Sequence, residues 1–274
     1  MNNPENKILK TELKLKASAP GSIQESEKTD SLIDHMIELR NRLLISLASV
    51  LLVFLSLVYF SNEIYIFMST PLTSLLPEGS TMIATGVTSP FFAPFKLTMV
   101  LSLIIAIPIV LHQLWSFISP GLYQHEKKFA IPLLFSSILL FYSGIAFAYY
   151  VVFPLMLSFF TSVGPENVSM MPDISQFLDV ALKLFFAFGI AFQIPIATLL
   201  LVWSGITTVE SLASKRAYVI VGCFIFGMLL TPPDVISQTL LAFPMWILFE
   251  LGILFSRLIK KKETENITEN QKKN

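Results

Sequence analysis

The sequence predicts an all-α membrane protein that crosses the bilayer six times and leaves both ends of the chain on the same side. Three observations lead there. Hydrophobic residues make up 54% of the 274 and charged residues only 14%, with 24 Phe among them. A soluble domain cannot cover that much apolar side chain with polar surface. The apolar residues gather in stretches close to the ~20 residues that an α-helix needs to cross about 30 Å of hydrocarbon. The cations are confined to alternate connections between those stretches, the bias that fixes the orientation of membrane helices.

Taken in order, residues 1–30 are polar, mixed in charge and rich in Lys, Glu, Ser and Asn, and are expected to form a disordered cytoplasmic tail with no cleavable signal peptide. Residues 31–259 form the membrane domain, with spans at about 43–60, 95–118, 131–157, 180–203, 217–231 and 235–257. Residues 260–274 repeat the character of the first tail and are expected to be disordered and cytoplasmic. The first four spans are long enough to cross. The fifth falls short, and spans five and six are expected to make a short hairpin through Thr231-Pro232-Pro233-Asp234, with a thinned bilayer or a polar recess beside it. Pro108, Pro132, Pro154, Pro195 and Pro244 lie in or at the edges of spans, where each removes a ladder hydrogen bond and bends its helix.

Charge placement decides the parity. Seven Lys and Arg precede span one, Lys127 and Lys128 follow span two, Lys215 and Arg216 follow span four, and six more follow span six, together 17 of the 19 in the chain. The intervening loops at 61–90, 161–179 and 231–234 hold only acids: Glu63, Glu78, Glu166, Asp173, Asp179 and Asp234. Both ends therefore fall in the cytoplasm, and the short fifth stretch must cross for the last basic cluster to lie inside.

Composition also narrows the function. A net charge of zero gives no basic excess for nucleic acid, and a single cysteine, Cys223, with three dispersed His supports neither a disulfide nor a metal site. His125-Glu126-Lys127-Lys128-Phe129 lacks the second His of a zinc-protease helix, and no Gly-rich phosphate loop occurs, so no cofactor is expected. A secondary transporter of a small solute is the alternative that composition alone allows; it calls for an internal repeat and a midplane cluster of ionisable groups. An intramembrane enzyme calls for a nucleophile and base facing each other in the membrane, and His35 and His125 instead fall at the cytoplasmic boundary.

Polar groups at membrane depth are the remaining candidates, because they are costly there unless paired or functional. Gln193 falls in the middle of span four; it either bonds a neighbouring helix or backbone freed by Pro195, or it lines a wet cavity. Glu250 lies within reach of the cytoplasmic interface, and Lys96 and Lys183 sit where snorkelling to the outer headgroups explains them. Glu38, Arg40 and Arg42 before span one, and Glu126, Lys127 and Lys128 before span three, have two readings: solvated boundary charges, or carboxylates that bind a partner's guanidinium groups. Composition does not separate them.

Several stretches resemble the TatC family, the receptors of twin-arginine protein translocases. They are His35-Met36-Ile37-Glu38-Leu39-Arg40-Asn41-Arg42, Ser89-Pro90-Phe91-Phe92, Phe117-Ile118-Ser119-Pro120-Gly121-Leu122-Tyr123-Gln124-His125-Glu126, Phe141-Tyr142-Ser143-Gly144, Val152-Phe153-Pro154, and Gly227-Met228-Leu229-Leu230-Thr231-Pro232-Pro233-Asp234 running into Ser237-Gln238. The resemblance runs from about residue 31 to 257. It implies a concave, glove-like six-helix receptor in the bacterial inner membrane that binds the twin-arginine signals of folded cargo. The resemblance further implies assembly with single-span TatA- and TatB-type proteins, self-association in a larger complex, and a drive from the proton gradient without catalysis. By position, Glu38, Arg40, Phe117 and Glu126 look like the signal-binding patch, and Met228, Thr231, Asp234 and Gln238 like the docking place for partner helices. Pro71 resembles part of the family's periplasmic cap. Where the family often has Glu in span four, this chain has Gln193, which cannot carry a proton.

Overall fold

A computed structural model of the chain describes residues 20–73, 82–118, 130–163, 171–230 and 235–273, without the side chains of 20–32, 34, 71–73, 130, 161, 163, 237 and 259–273. These residues are almost entirely helical. The helices are α1 (Pro20–Leu57), α2 (Ser61–Thr73), α3 (Ser89–Ile118), α4 (Ala130–Phe147), α5 (Phe153–Val163), α6 (Ile174–Ala191), α7 (Ile194–Trp203), α8 (Val209–Ser214), α9 (Arg216–Leu230) and α10 (Val235–Lys273). By contact the chain divides into two compact units, one up to Ala48 and one from Ser49 onward.

Five stretches among the described residues are long and apolar enough to cross a membrane: His35–Thr70, Ser89–Ile118, Ile131–Phe160, Ile174–Trp203 and Gln238–Leu258. The shorter apolar helix Arg216–Leu230 is α9. One expectation is corrected here. The last span is not short: Gln238–Leu258 has 21 residues, since α10 runs unbroken through Pro244, and only α9 is stunted. Helix also reaches into both polar ends, and past residue 60 it resumes as α2, so the segment read as an outer loop from 61 begins helically.

Prolines shape the long helices in ways that the chain compensates. Before Pro154 a five-residue turn of wider π-helix, Ala148–Val152, absorbs the missing N–H and joins α4 to α5. Pro195 stands at the start of α7, and the chain turns through Phe192 and Gln193 between α6 and α7. Pro108 lies inside α3 and cannot donate to the carbonyl of Ile104; the Tyr142 hydroxyl of α4 donates to it instead at 3.0 Å. A backbone acceptor freed inside lipid is thereby satisfied from the next helix.

In the second unit α4 packs on α6, α3 on α6 and α2, and α10 on α7 and α9. Small residues permit the closest approaches, as expected where lipid supplies no hydrophobic drive between helices. Gly144 of α4 lies against the backbone carbonyl of Phe188 of α6, and Gly189 of α6 faces the ring of Phe141 of α4. Gly252 of α10 lies against Thr198 and Pro195 of α7. The largest core cluster centres on Phe153, Phe177, Phe185 and Phe188, which draw the π turn, α5 and α6 together.

Candidate functional site

On α1, Glu38 and Arg42 stand one turn apart. The Arg42 guanidinium donates from Nε at 2.9 Å and from Nη2 at 2.5 Å, both to Oε1 of Glu38. The Glu38 side chain keeps 37% of its surface exposed, so this carboxylate engages a guanidinium yet stays accessible. Arg40 is exposed, and Phe117, at the end of α3, is half-buried. Glu126, Thr231 and Asp234 lie outside the described residues, as does the Pro71 side chain, whose backbone belongs to α2. The second carboxylate of the expected arginine-binding pair therefore has no described geometry.

Met228 is 49% exposed on α9. Gln238, at the start of α10, is held inward: its amide donates to the carbonyl of Phe224 at 2.7 Å and its backbone lies over Gly227. A Cβ at 227 would come within 3.3 Å of the Gln238 carbonyl, so the glycine sets the spacing of the α9–α10 hairpin. Gln238 thus joins the two helices, and Met228 presents the free surface.

Gln193 has a protein partner. Its Nε2 donates to the backbone carbonyl of Ser137 on α4 at 2.9 Å, while the Ser137 hydroxyl accepts from the indole N–H of Trp115 on α3 at 3.1 Å. Ser137 and Trp115 are buried. One residue of α4 is thus tied to α3 and, at the α6–α7 break, to Gln193. The role of Gln193 requires an amide N–H, which an ionised carboxylate lacks.

Three further contacts lock the helices, and only part of one has a local signal in the sequence. Asp173 caps α6, its Oδ1 accepting from the N–H groups of Ser175 at 2.9 Å and Gln176 at 3.2 Å. Its Oδ2 accepts from the Thr85 hydroxyl at 2.6 Å and the Thr85 N–H at 2.8 Å. Backbone bonds from Ile83 to Pro172 and from Ile174 to Ile83 complete this junction. The Thr85 hydroxyl and N–H, with help from the two capping N–H groups, hold the Asp173 carboxyl down at about 2 against the opposing effect of burial. The second contact is a two-pronged ion pair: Arg216, at the start of α9, donates from Nε and Nη2 to the two carboxylate oxygens of Glu250 at 2.6 and 2.9 Å. The third is the ion pair of Lys96 on α3 with Asp179 on α6. Only the cap was legible, as Asp173-Ile174-Ser175-Gln176 ahead of an apolar run.

Comparison with known proteins follows the same lines. Residues 34–244 match the family described as Sec-independent protein translocase protein (TatC). A Sec-independent protein translocase protein TatC of Azotobacter chroococcum mcd 1 is 62% identical over 239 residues, 87% of this chain and 94% of that protein. The protein of the same name from Escherichia coli K12 is 56% identical over 231 residues, 84% of this chain and 90% of that one. A crystal structure described as the twin arginine translocase receptor TatC superposes with a TM-score of 0.74 at 39% identity, covering 82% of this chain and 98% of the other. With a family match over most of its length and a backbone shared with a solved member, this polytopic membrane chain belongs to the TatC family of Sec-independent protein translocase proteins.

Proposed function

We propose that this chain is the signal-receiving core of a twin-arginine translocase in the bacterial inner membrane. It crosses six times with both ends in the cytoplasm, forms a glove-like concave receptor, and works with TatA- and TatB-type single-span partners and further copies of itself. It is driven by the proton gradient and performs no catalysis.

The observation that carries this reading is Glu38, a carboxylate that accepts two bonds from a guanidinium and remains 37% exposed. In α1 both bonds fall on Oε1, so Oε2 faces no donor among the described residues. Charge-assisted bonds between guanidinium and carboxylate are short and directional, and Arg offers a planar fork that Lys does not. In this reading Glu38 and Glu126 take the two arginines of the signal, Arg40 lies beside them, and Phe117 excludes water or stacks on a guanidinium plane. Met228, Thr231, Asp234 and Gln238 receive a partner helix beside the stunted α9, and Pro71 belongs to the cap on the opposite side.

The six-crossing topology draws support from Arg216–Glu250. The ion pair places an acid of the last span level with the basic turn before α9, where positive-inside bias puts the cytoplasm. Binding of a synthetic twin-arginine signal peptide to the purified chain, measured by fluorescence anisotropy, tests the receptor reading. Glu38→Ala is expected to weaken binding, and replacing both signal arginines by lysine to weaken it despite unchanged charge. Equal affinity for the arginine and lysine peptides would refute the fork-based recognition.

A further inference from the structure

From a groove between α3, α6 and α9, we infer that the chain binds one anionic phospholipid at a fixed site, with an acyl chain in the groove and its phosphate at Lys183. The groove encloses about 410 Å³ and is lined along its length by apolar residues, among them Val100, Phe186, Ile190 and Phe226. At one end stand Lys96, Asp179 and Lys183. No other polar or charged side chain lines it.

Charge and length select the occupant. Lys96 pairs with Asp179, and Lys183 has no ion-pair or hydrogen-bond partner among the described residues. Asp179 and Lys183 are four residues apart on α6, so if Asp179 turned to Lys183, Lys96 would be released instead. Either arrangement leaves one positive charge at the mouth of an apolar channel, which matches a headgroup carrying one net negative charge. Along α6 the lining runs from Asp179 to Ile190, roughly 17 Å at about 1.5 Å per residue. That is the thickness of one leaflet of a hydrocarbon core of about 30 Å. A transmembrane partner would need an apolar face twice as long. The inference does not depend on the receptor reading, because it uses no residue of the signal-binding patch.

The test is native mass spectrometry of the purified full chain after incubation with equimolar phosphatidylglycerol and phosphatidylcholine. Wild type is expected to retain phosphatidylglycerol in preference. Lys183→Gln is expected to reduce that preference about fivefold, the effect of one cation near an anionic lipid surface. Ile190→Trp, which fills the groove from an exposed position, is expected to reduce retention of both lipids while the chain stays monodisperse with unchanged helical circular dichroism. Equal retention of the two lipids by wild type, or an unchanged preference in Lys183→Gln, overturns the site. So does crosslinking of position 190 to a single-span partner rather than to lipid in membranes.

Discussion

Gly144→Ala tests the helix crossing on which the centre of the molecule depends. A methyl group at 144 would overlap the carbonyl oxygen of Phe188, lie 2.9 Å from its carbonyl carbon and 3.0 Å from Cγ of Phe192. Phe188 is fully buried and the obstacle is backbone, so a rotamer change cannot relieve it; α4 and α6 must separate. One extra methyl in a packed site costs about 1–3 kcal/mol. Because the obstacle is backbone, the upper part of that range, about 2–3 kcal/mol, applies; alanine returns up to about 1 kcal/mol of helix propensity, leaving a net loss of about 1–2 kcal/mol. Gly222→Ala in α9 is the matched control, since a methyl there meets no atom within 4 Å and gains propensity without a clash. Heating in detergent followed by size-exclusion chromatography reads both variants. Gly144→Ala is expected to lower the midpoint by roughly 2–8 °C, taking about 2–4 °C per kcal/mol for a chain of this size. Gly222→Ala is expected to match or exceed wild type. A Gly144→Ala midpoint at or above wild type would refute the close-approach argument.

Other consequences can be checked alongside. Gln193→Leu removes the bond to Ser137 and is expected to cost about 0.6 and at most about 1.7 kcal/mol, the range for bonds between membrane helices, by the same heating assay. Gln193→Glu is expected to be less stable than wild type near neutral pH, because a carboxyl at this depth must be held protonated to donate to the Ser137 carbonyl. Asp173 has a depressed folded pKa of about 2 against an ordinary 3.8, so its contribution is fully present above about pH 4 and is lost as pH falls through about 2. The stability gap between wild type and Asp173→Asn is therefore expected to be constant from pH 7 down to about 4 and to close toward pH 2. In a double-mutant cycle, Arg216→Ala and Glu250→Ala are expected to be less than additive, because both break the same two-pronged pair.

Much of this architecture could be read without coordinates, for reasons that differ by element. Lys and Arg gather in connections between apolar stretches, so Lys215 marks the junction of α8 and α9 before any packing is known. Prolines announce a lost N–H, and Pro108, Pro154 and Pro195 each fall at a described distortion or rescue. The rescuer is not written locally: Tyr142 reaches Ile104 across 38 residues, and Gln193 reaches Ser137 across 56. Thr85 and Asp173, 88 residues apart, meet only because α6 begins beside Ile83. Read from sequence, the last span groups with the short fifth in one hairpin, yet its helix runs unbroken through Pro244 and only α9 is stunted. Of the proposed signal patch, Glu126 has no described geometry, while on α1 an i, i+4 spacing already aligns Glu38 with Arg42.

The most direct test of the receptor account is export of a folded reporter behind a twin-arginine signal in cells lacking their own TatC-family protein, supplied with this chain and its cognate single-span partners. Wild type is expected to restore export, and Glu126→Ala and Glu38→Ala to reduce it and the crosslinking of the signal to the chain, while each variant still accumulates in the membrane. Normal export by both variants, or failure of wild type to export at all, would contradict the account.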